Sequence, residues 1–236
     1  MQAVILAGGK GSRLQPYTTV LPKPLMPVGD MPILEIILRQ LAKAGCRTVF
    51  LTVGRALPLF RAVFAEGERL GLKIRYALEE EPLGTAGPIA SLVDDLEEDF
   101  LVMNGDLLTT LDYRRFFEFH REQGCAATLA AHERSSLIDF GVLEPDSEGR
   151  LVNYIEKPTY TFTVSMGVYA MRKSLVAPHL GIGERLDFPD LIRRLLDSGT
   201  VVRCHHPDCF WLDIGRLDDF QTAQEVFEKR RAEFLP

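Results

Sequence analysis

Acidic residues are missing from the first 29 positions, although the chain as a whole is acidic, with 33 Asp and Glu against 27 Lys and Arg in 236 residues. That local gap is informative because other absences remove the broad explanations for a cationic segment. No run of five or six like charges occurs, and the net charge of −6 opposes a general binder of polyanions such as nucleic acid. Cysteine is scarce and scattered, at Cys46, Cys125, Cys204 and Cys209, which excludes a disulfide framework. No apolar stretch approaches the roughly 18 residues that cross a bilayer, so no membrane partner is expected. The first residues also lack the charged and apolar sections of a secretory signal, and the expected compartment is the reducing cytoplasm. Linkers rich in Pro, Gly or Ser and internal repeats are missing too, and the reading is one domain over 1–236. With 46% hydrophobic and 25% charged residues, the chain has the means to bury a full core.

What is present alternates short apolar runs with amphipathic stretches, the sequence form of an α/β domain with a largely parallel sheet. The runs "QAVILA", "TVFLTV", "KIRYAL" and "FLVMN" read as strands. Between them, "PILEIILRQLAKAG" places Ile33, Ile36, Ile37, Leu38 and Leu41 on one helical face and stops at Gly45. "LPLFRAVFAEGERLG" and "TAGPIASLVDDL" read as the next two helices, with Pro88 in the first turn of the second. Further on, "FGVLEPDSEGRLVNYIEK" reads as two strands joined by a turn at 146–149, and "FTVSMGVYAM" as another strand, so antiparallel additions to the sheet are expected. "LDDFQTAQEVFEKRRAEFL" closes the chain as a helix with Phe220, Ala223, Val226 and Phe227 on one face.

The acid-free segment holds "LAGGKGSRL", directly after the first apolar run. Its glycines do not fit G-x-G-x-x-G, because the third position from Gly9 is Leu14, nor do they fit a Walker loop. They nevertheless allow backbone N–H groups to approach an anion closely. Lys10 and Arg13 add charge, Arg13 as a planar fork, and Lys23 stands between Pro22 and Pro24 on a stiff stretch. The complementary half is acidic. In "FLVMNGD", Asp106 follows a strand and a glycine and belongs at the carboxyl edge of the sheet; in "FWLDIG", Asp213 ends a second short apolar run. Two such carboxylates can share a Mg²⁺ that also takes phosphate oxygens. Phosphoryl or nucleotidyl transfer is the chemistry these groups fit.

Taken in order, "LAGGKGSRL", "PKPL", "EEEPLGTAG", "NGD", "IEKP" and "FWLDIG" resemble the nucleotide-diphospho-sugar pyrophosphorylases, the sugar-1-phosphate nucleotidyltransferases, and among them the guanylyltransferases that use mannose 1-phosphate. The resemblance implies a Rossmann-like three-layer α/β/α sandwich with a mixed, mostly parallel sheet. It also implies a Mg²⁺ cofactor, and a reaction of nucleoside triphosphate with sugar 1-phosphate that releases pyrophosphate. A nucleotide-binding part over about 1–110 and a sugar-binding part over about 111–236 follow from it. Leu6, Gly8, Gly9, Gly11, Ser12 and Arg13 would then wrap the nucleotide, with Arg13 on the leaving pyrophosphate and Lys23 at the α-phosphate. Asp106 and Asp213 would hold the metal. Lys157 would grip the sugar phosphate, Glu156 would accept ring hydroxyls, and Asn104, Gly141 and Ser165 would complete the sugar side.

The first residues of "EEEPLGTAG" fall where the resembling enzymes face the nucleobase. A carboxylate only accepts hydrogen bonds, which suits the adjacent N1–H and N2–H donors of guanine better than thymine or uracil. Glu79 is therefore expected to read the base, with Glu80 on the opposite face, Gly84 beside the base and Thr85 capping the helix that follows. Thymidylyl transfer to glucose 1-phosphate is the alternative, as is a non-catalytic regulatory homologue that binds the activated sugar; a homo-oligomer is compatible with either. Ser165 in "VSMG" stands where the family commonly has Asn, and no hexapeptide repeat of the bifunctional acyltransferases occurs. "CHHPDC" gathers soft-metal ligands, but without a second pair at finger or ribbon spacing a structural role is expected. His120, His132 and His179 carry no catalytic spacing.

Overall fold

The computed structural model describes residues 1–9 and 11–235, with Ser12 described by its backbone alone. In chain order its strands are β1 (Gln2–Leu6), β2 (Pro27–Val28), β3 (Met31–Pro32), β4 (Thr48–Val53), β5 (Lys73–Leu78), β6 (Asp99–Asn104) and β7 (Leu107–Thr109). They continue as β8 (Ala127–Leu137), β9 (Val142–Pro145), β10 (Leu151–Ile155), β11 (Thr159–Arg172), β12 (Val202–His205) and β13 (Trp211–Asp213). The α-helices are α1 (Ile33–Lys43), α2 (Leu57–Phe64), α3 (Tyr113–Gln123), α4 (Lys173–Val176), α5 (Phe188–Asp197) and α6 (Leu217–Phe234).

Seven strands form one sheet in the order β12-β8-β11-β6-β1-β4-β5. β11 pairs antiparallel with both of its neighbours, and the remaining neighbours pair in parallel. The sheet is thus mixed and mostly parallel, as expected. Its apolar runs are continuous because both faces are covered. Ala3, Ile5, Val49, Leu51, Leu101 and Met103 join the core that takes in α1, α2, α3 and α6. The alternate positions Val4, Phe50, Phe100 and Val102 join a second core with α5 and the helical turn at Gly87–Asp95.

Three expectations about local structure are corrected. The stretch "LPLFRAVFAEGERLG" is helical only to Phe64, because Ala65 and Gly67 both take positive φ and a separate 3₁₀ turn follows at Glu68–Leu70. "TAGPIASLVDDL" forms a 3₁₀ helix over Gly87–Asp95, with Pro88 in its first turn. The long strand β8, next to the sheet's edge, is missed altogether, since its outer half reads "HERSSL", too polar for an apolar-run criterion. The two strands at "FGVLEPDSEGRLVNYIEK" do form, as β9 and β10 around a turn closed by Gly149 N–H to Asp146 O. They pair only with each other and stand apart from the main sheet.

One buried polar group lies at the start of β6, away from the sheet's carboxyl edge. His120 on α3 is fully buried, with Nδ1 2.9 Å from Thr128 Oγ1; its Nε2 has no hydrogen-bond partner and lies 3.7 Å from Asp99 Oδ1. Burial lowers the His120 pKa, opposed in part by Asp99. The fold therefore favours neutral imidazole, while the unfolded chain takes up a proton as pH falls through about 6.5. Stability should fall with decreasing pH from that point, by at most about 1.4 kcal/mol per pH unit from this group. Urea unfolding between pH 7.5 and 5.5 should show a shallower loss in His120→Gln than in the native chain; parallel losses would clear His120 of this role.

Candidate active site

Three segments far apart in sequence meet at the carboxyl edge of the sheet. β1 and β6 lie side by side in register, Leu6 against Asn104, and the Gly105 amide donates to the Leu6 carbonyl at 3.0 Å. A Cβ on Gly105 would fall 3.1 Å from that oxygen and 3.3 Å from Cγ of Pro24, so a side chain there would wedge the segments apart. Pro24 belongs to a 3₁₀ turn over Lys23–Leu25, closed by Met26 N–H to Lys23 O. With Pro on both sides, the turn presents the Lys23 side chain on a stiff support.

Lys23 is 8% exposed, and its ammonium lies 2.5 Å from Asp106 Oδ2 and 3.8 Å from Asp213 Oδ1. Asp213 reaches this point through a separate two-stranded ladder. β13 runs antiparallel to β7, placing Asp213 opposite Leu107, and the Ile214 amide donates to the Asp106 carbonyl at 3.2 Å. Burial raises the Asp213 pKa, and Asp106 raises it further, while Lys23 and Arg13 oppose both. The other Asp106 oxygen, Oδ1, is buried with no hydrogen-bond partner. Two hard carboxylates, one with an unused buried oxygen, fit Mg²⁺, which commonly takes one or two protein carboxylates and completes its shell with water and phosphate oxygens. Among the described residues no group of three or more His, Cys, Asp or Glu converges in this way.

The glycine loop borders this charge cluster. Gly8 and Gly9 are exposed, and Gly11 has φ +59° with its carbonyl accepting from Thr18 Oγ1 at 2.7 Å. Arg13 is exposed and lies over Gly215, where a Cβ would be 3.6 Å from Nη1. Lys10 and the Ser12 side chain lie outside the described residues. Glu79 follows the last residue of β5, and its amide donates to the Val53 carbonyl at 2.8 Å. Its carboxylate lies against the loop, since a Cβ on Gly8 would meet Glu79 Oε1 at 2.7 Å. Burial raises the Glu79 pKa, countered in part by Thr52 and the Leu83 backbone. Glu80 and Glu81 are exposed.

The residues expected on the sugar side fall into two groups. Asn104 packs on Gly167, which sits at φ +73° in an irregular stretch of β11; a Cβ there would be 2.6 Å from Asn104 Nδ2. Ser165 lies in the same stretch, where its hydroxyl donates to Tyr169 Oη and accepts from the Gly167 amide, both at 3.2 Å. Trp211 ties β13 to this stretch by donating from Nε1 to the Met166 carbonyl at 2.9 Å. Gly141, Glu156 and Lys157 form the second group, at the root of the β9–β10 hairpin. Tyr154 packs against Gly141 and donates to Glu156 Oε2 at 3.0 Å. Lys157, at φ +44°, pairs with Asp139 at 3.2 Å. Tyr154 and Asp139 were not singled out from the sequence. Period-two alternation put Tyr154 on the face of Glu156, but nothing local joined Asp139 to Lys157.

A family model for nucleotidyl transferases matches residues 2–230. The chain belongs to the nucleotidyl transferase family. It is 34% identical over 228 residues to a mannose-1-phosphate guanylyltransferase of Mycobacterium tuberculosis, covering 93% of this chain and 62% of that one. It is 28% identical to a UTP–glucose-1-phosphate uridylyltransferase of Synechocystis, covering 94% of this chain and 62% of the relative. The chain thus spans just over three fifths of the length of these relatives. The crystal structure of HddC from Yersinia pseudotuberculosis complexed with GMP-PN superposes with a TM-score of 0.74 at 24% identity, over 96% of this chain and 99% of the other. That likeness establishes the α/β fold.

In this member of the nucleotidyl transferase family the expected helix cap at Thr85 is corrected. The 3₁₀ helix after it begins from Ala86 with no side-chain cap. The Thr85 hydroxyl instead accepts from the Phe188 amide at 2.8 Å, at the start of α5, and the Thr85 amide donates to Asp187 Oδ1 at 3.0 Å. Gly84, at φ +80°, passes so close to this corner that a Cβ would fall 2.5 Å from the Leu186 carbonyl. Within "CHHPDC", the His205 ring lies against Phe119 at a 37° tilt with ring centres 4.4 Å apart, and Cys204 is exposed. Removing the α5 cap should cost about 0.5–2 kcal/mol. Thr85→Ala is therefore expected to lower the unfolding free energy by that amount in urea titrations while nucleotide KM stays within twofold or so. A KM rise without loss of stability would place Thr85 on the nucleotide.

Proposed function

We propose that the chain is a sugar-1-phosphate nucleotidyltransferase that forms a nucleoside-diphosphate sugar and pyrophosphate, with GTP as nucleotide and mannose 1-phosphate or a related sugar as acceptor. The observation that carries the reading is the meeting of Lys23, Asp106 and Asp213 beside the Gly8–Gly11 loop at the sheet's carboxyl edge. An oxygen of the sugar phosphate attacks the α-phosphorus, the new P–O bond forms, and the bond to the β-phosphate oxygen breaks. That nucleophile is already ionised at neutral pH, as phosphate monoesters lose their second proton near pH 6. No general base is required, and catalysis rests on alignment and charge stabilisation.

Each residue then has a task. Lys23 stabilises the charge that builds on the α-phosphate during displacement, and Arg13 holds the departing pyrophosphate. Loop amides from Gly8 to Gly11 bind the remaining phosphate oxygens. Asp106 and Asp213 would hold Mg²⁺, which when bound supplies charge neutralisation along the phosphates. Glu156, steadied by Tyr154, accepts sugar hydroxyls, and Lys157 exchanges Asp139 for the sugar phosphate. Glu79 accepts from the N1–H and N2–H of guanine; its placement against Gly8 supports this, as does the guanylyltransferase of M. tuberculosis among the relatives.

Removing a metal ligand charge should abolish most turnover: Asp106→Asn and Asp213→Asn are each expected to lose it with the circular dichroism spectrum unchanged, and near-normal pyrophosphate release would rule out that residue. Lys157→Ala should raise the KM for sugar 1-phosphate, whereas Lys23→Ala should lower kcat, because only Lys23 faces charge developed in the transition state. Identical changes in both variants would refute the assignment. For the base, Glu79→Gln removes a charge-assisted hydrogen bond of about 1.5–3 kcal/mol, roughly tenfold to hundredfold in the kcat/KM ratio of GTP over UTP. The native ratio should also decline on acidification, since the raised pKa brings the protonated, poorer acceptor within reach. An enzyme that prefers dTTP or UTP from the outset defeats the guanine assignment and leaves nucleotidyl transfer in place.

A further inference from the structure

The pair of carboxylates proposed to bind a divalent cation already shares a cation of the protein's own. The Lys23 ammonium is within 2.5 Å of Asp106 and 3.8 Å of Asp213, and among the described residues it has no other side-chain partner. Its side chain is 9% exposed, so an ammonium pushed off these oxygens without a new acceptor becomes a buried unpaired charge, which is strongly unfavourable. Arg13 adds positive potential at Asp213, and Asp219 opposes it. With the Lys23 ammonium already on both carboxylates, part of the negative charge that would attract a divalent ion is neutralised. A nucleoside triphosphate changes both terms. It brings several negative charges to the loop, and its α-phosphate gives the ammonium a new partner.

We propose that Lys23 is the resident counter-ion of the metal site, excluding a divalent cation until a triphosphate draws its ammonium away, so that metal and nucleotide load together. Lys23 thereby acts in two places, on Asp106 before loading and on the α-phosphate after it. Asp106 Oδ1, buried and without a partner, remains available to the arriving ion. The inference rests on the nucleotidyltransferase reading for the identity of the anion, while the competition itself concerns only Lys23, Asp106, Asp213 and the cation.

The test is Mn²⁺ binding to the nucleotide-free chain, followed by electron paramagnetic resonance of the free ion and by calorimetry. Lys23→Met should bind Mn²⁺ at least about tenfold more tightly than the native protein, since a full positive charge a few ångströms from the ion is removed. Lys23→Gln, neutral but still polar, serves if the methionine variant does not fold, and should show the same gain. The gain should vanish on adding Asp106→Asn. In chelator the Lys23 variant should unfold at a lower temperature than the native chain and recover on addition of Mn²⁺, with little shift in the native protein. Equal Mn²⁺ affinity in native and Lys23 variants overturns the counter-ion role, as does failure of both to bind Mn²⁺ when turnover still requires a divalent ion. Failure of the nucleotidyltransferase reading is seen separately, as no pyrophosphate release from any triphosphate and sugar 1-phosphate.

Discussion

Two carboxylates forced close together in a partly buried site need a positive charge between them, and Lys23 meets that need. Without it, the β7–β13 ladder would drive Asp213 toward Asp106 against their mutual repulsion, and Asp213 would shift further toward its neutral form. The ladder also brings the Ile214 amide to the Asp106 carbonyl, and α6 starts directly after the site. The ion pair therefore links the first strand's loop, the fourth sheet strand and the final helix in one place. It also makes the cluster chemically versatile, because an ammonium held by carboxylates is available to a competing phosphate.

Close backbone approach is what gives that cluster its precision. Gly105 lets the Leu6 carbonyl and Pro24 come within contact of the turn that carries Asp106. Parallel pairing of β1 with β6 sets the height of that turn, and the covered faces of the sheet fix the register, since a one-residue slip would exchange the two cores. The charged side chains of that cluster thus stand on rigid elements, whereas the described residues between β1 and Lys23 form only short 3₁₀ turns, at Ser12–Leu14 and Tyr17–Thr19. Such a division suits a site that must hold reacting groups in line yet admit a large, highly charged ligand.

The residues proposed for the sugar side are organised differently. Gly141, Glu156 and Lys157 belong to a hairpin that pairs with no strand of the main sheet, and Asn104 and Ser165 to the irregular middle of β11. Ser165 uses its hydroxyl hydrogen within that irregularity, on Tyr169, so any contribution to sugar recognition comes from its remaining acceptor capacity. The nearby Tyr154 and Asp139 restrain Glu156 and Lys157 before a ligand arrives. Relatives that act on different nucleotides and sugars share this family, and the hairpin and the β5 end are the places where side-chain identity can change without disturbing the sheet.

Much of this protein was legible in its residues alone. The alternating apolar runs determined an α/β fold with a mostly parallel sheet, because strands buried on both faces must be apolar at successive positions. The ordered motifs determined the family, and an acid-free segment with two strand-end acids singled out Lys23, Asp106 and Asp213 as charged groups of a candidate site. The tertiary structure decided the rest. β8 escaped detection because its outer half is polar and exposed, and only pairing with β11 and β12 makes it a strand. By its spacing Thr85 reads as a local cap, yet the amide it satisfies belongs to Phe188, 103 residues away. Lys23 could be recognised as a cation but not as the partner of Asp106 and Asp213, since their meeting depends on a ladder between segments 100 residues apart. Local sequence encodes propensity and period; it does not encode which distant backbone groups must be satisfied together, and that accounting is settled only when the chain packs.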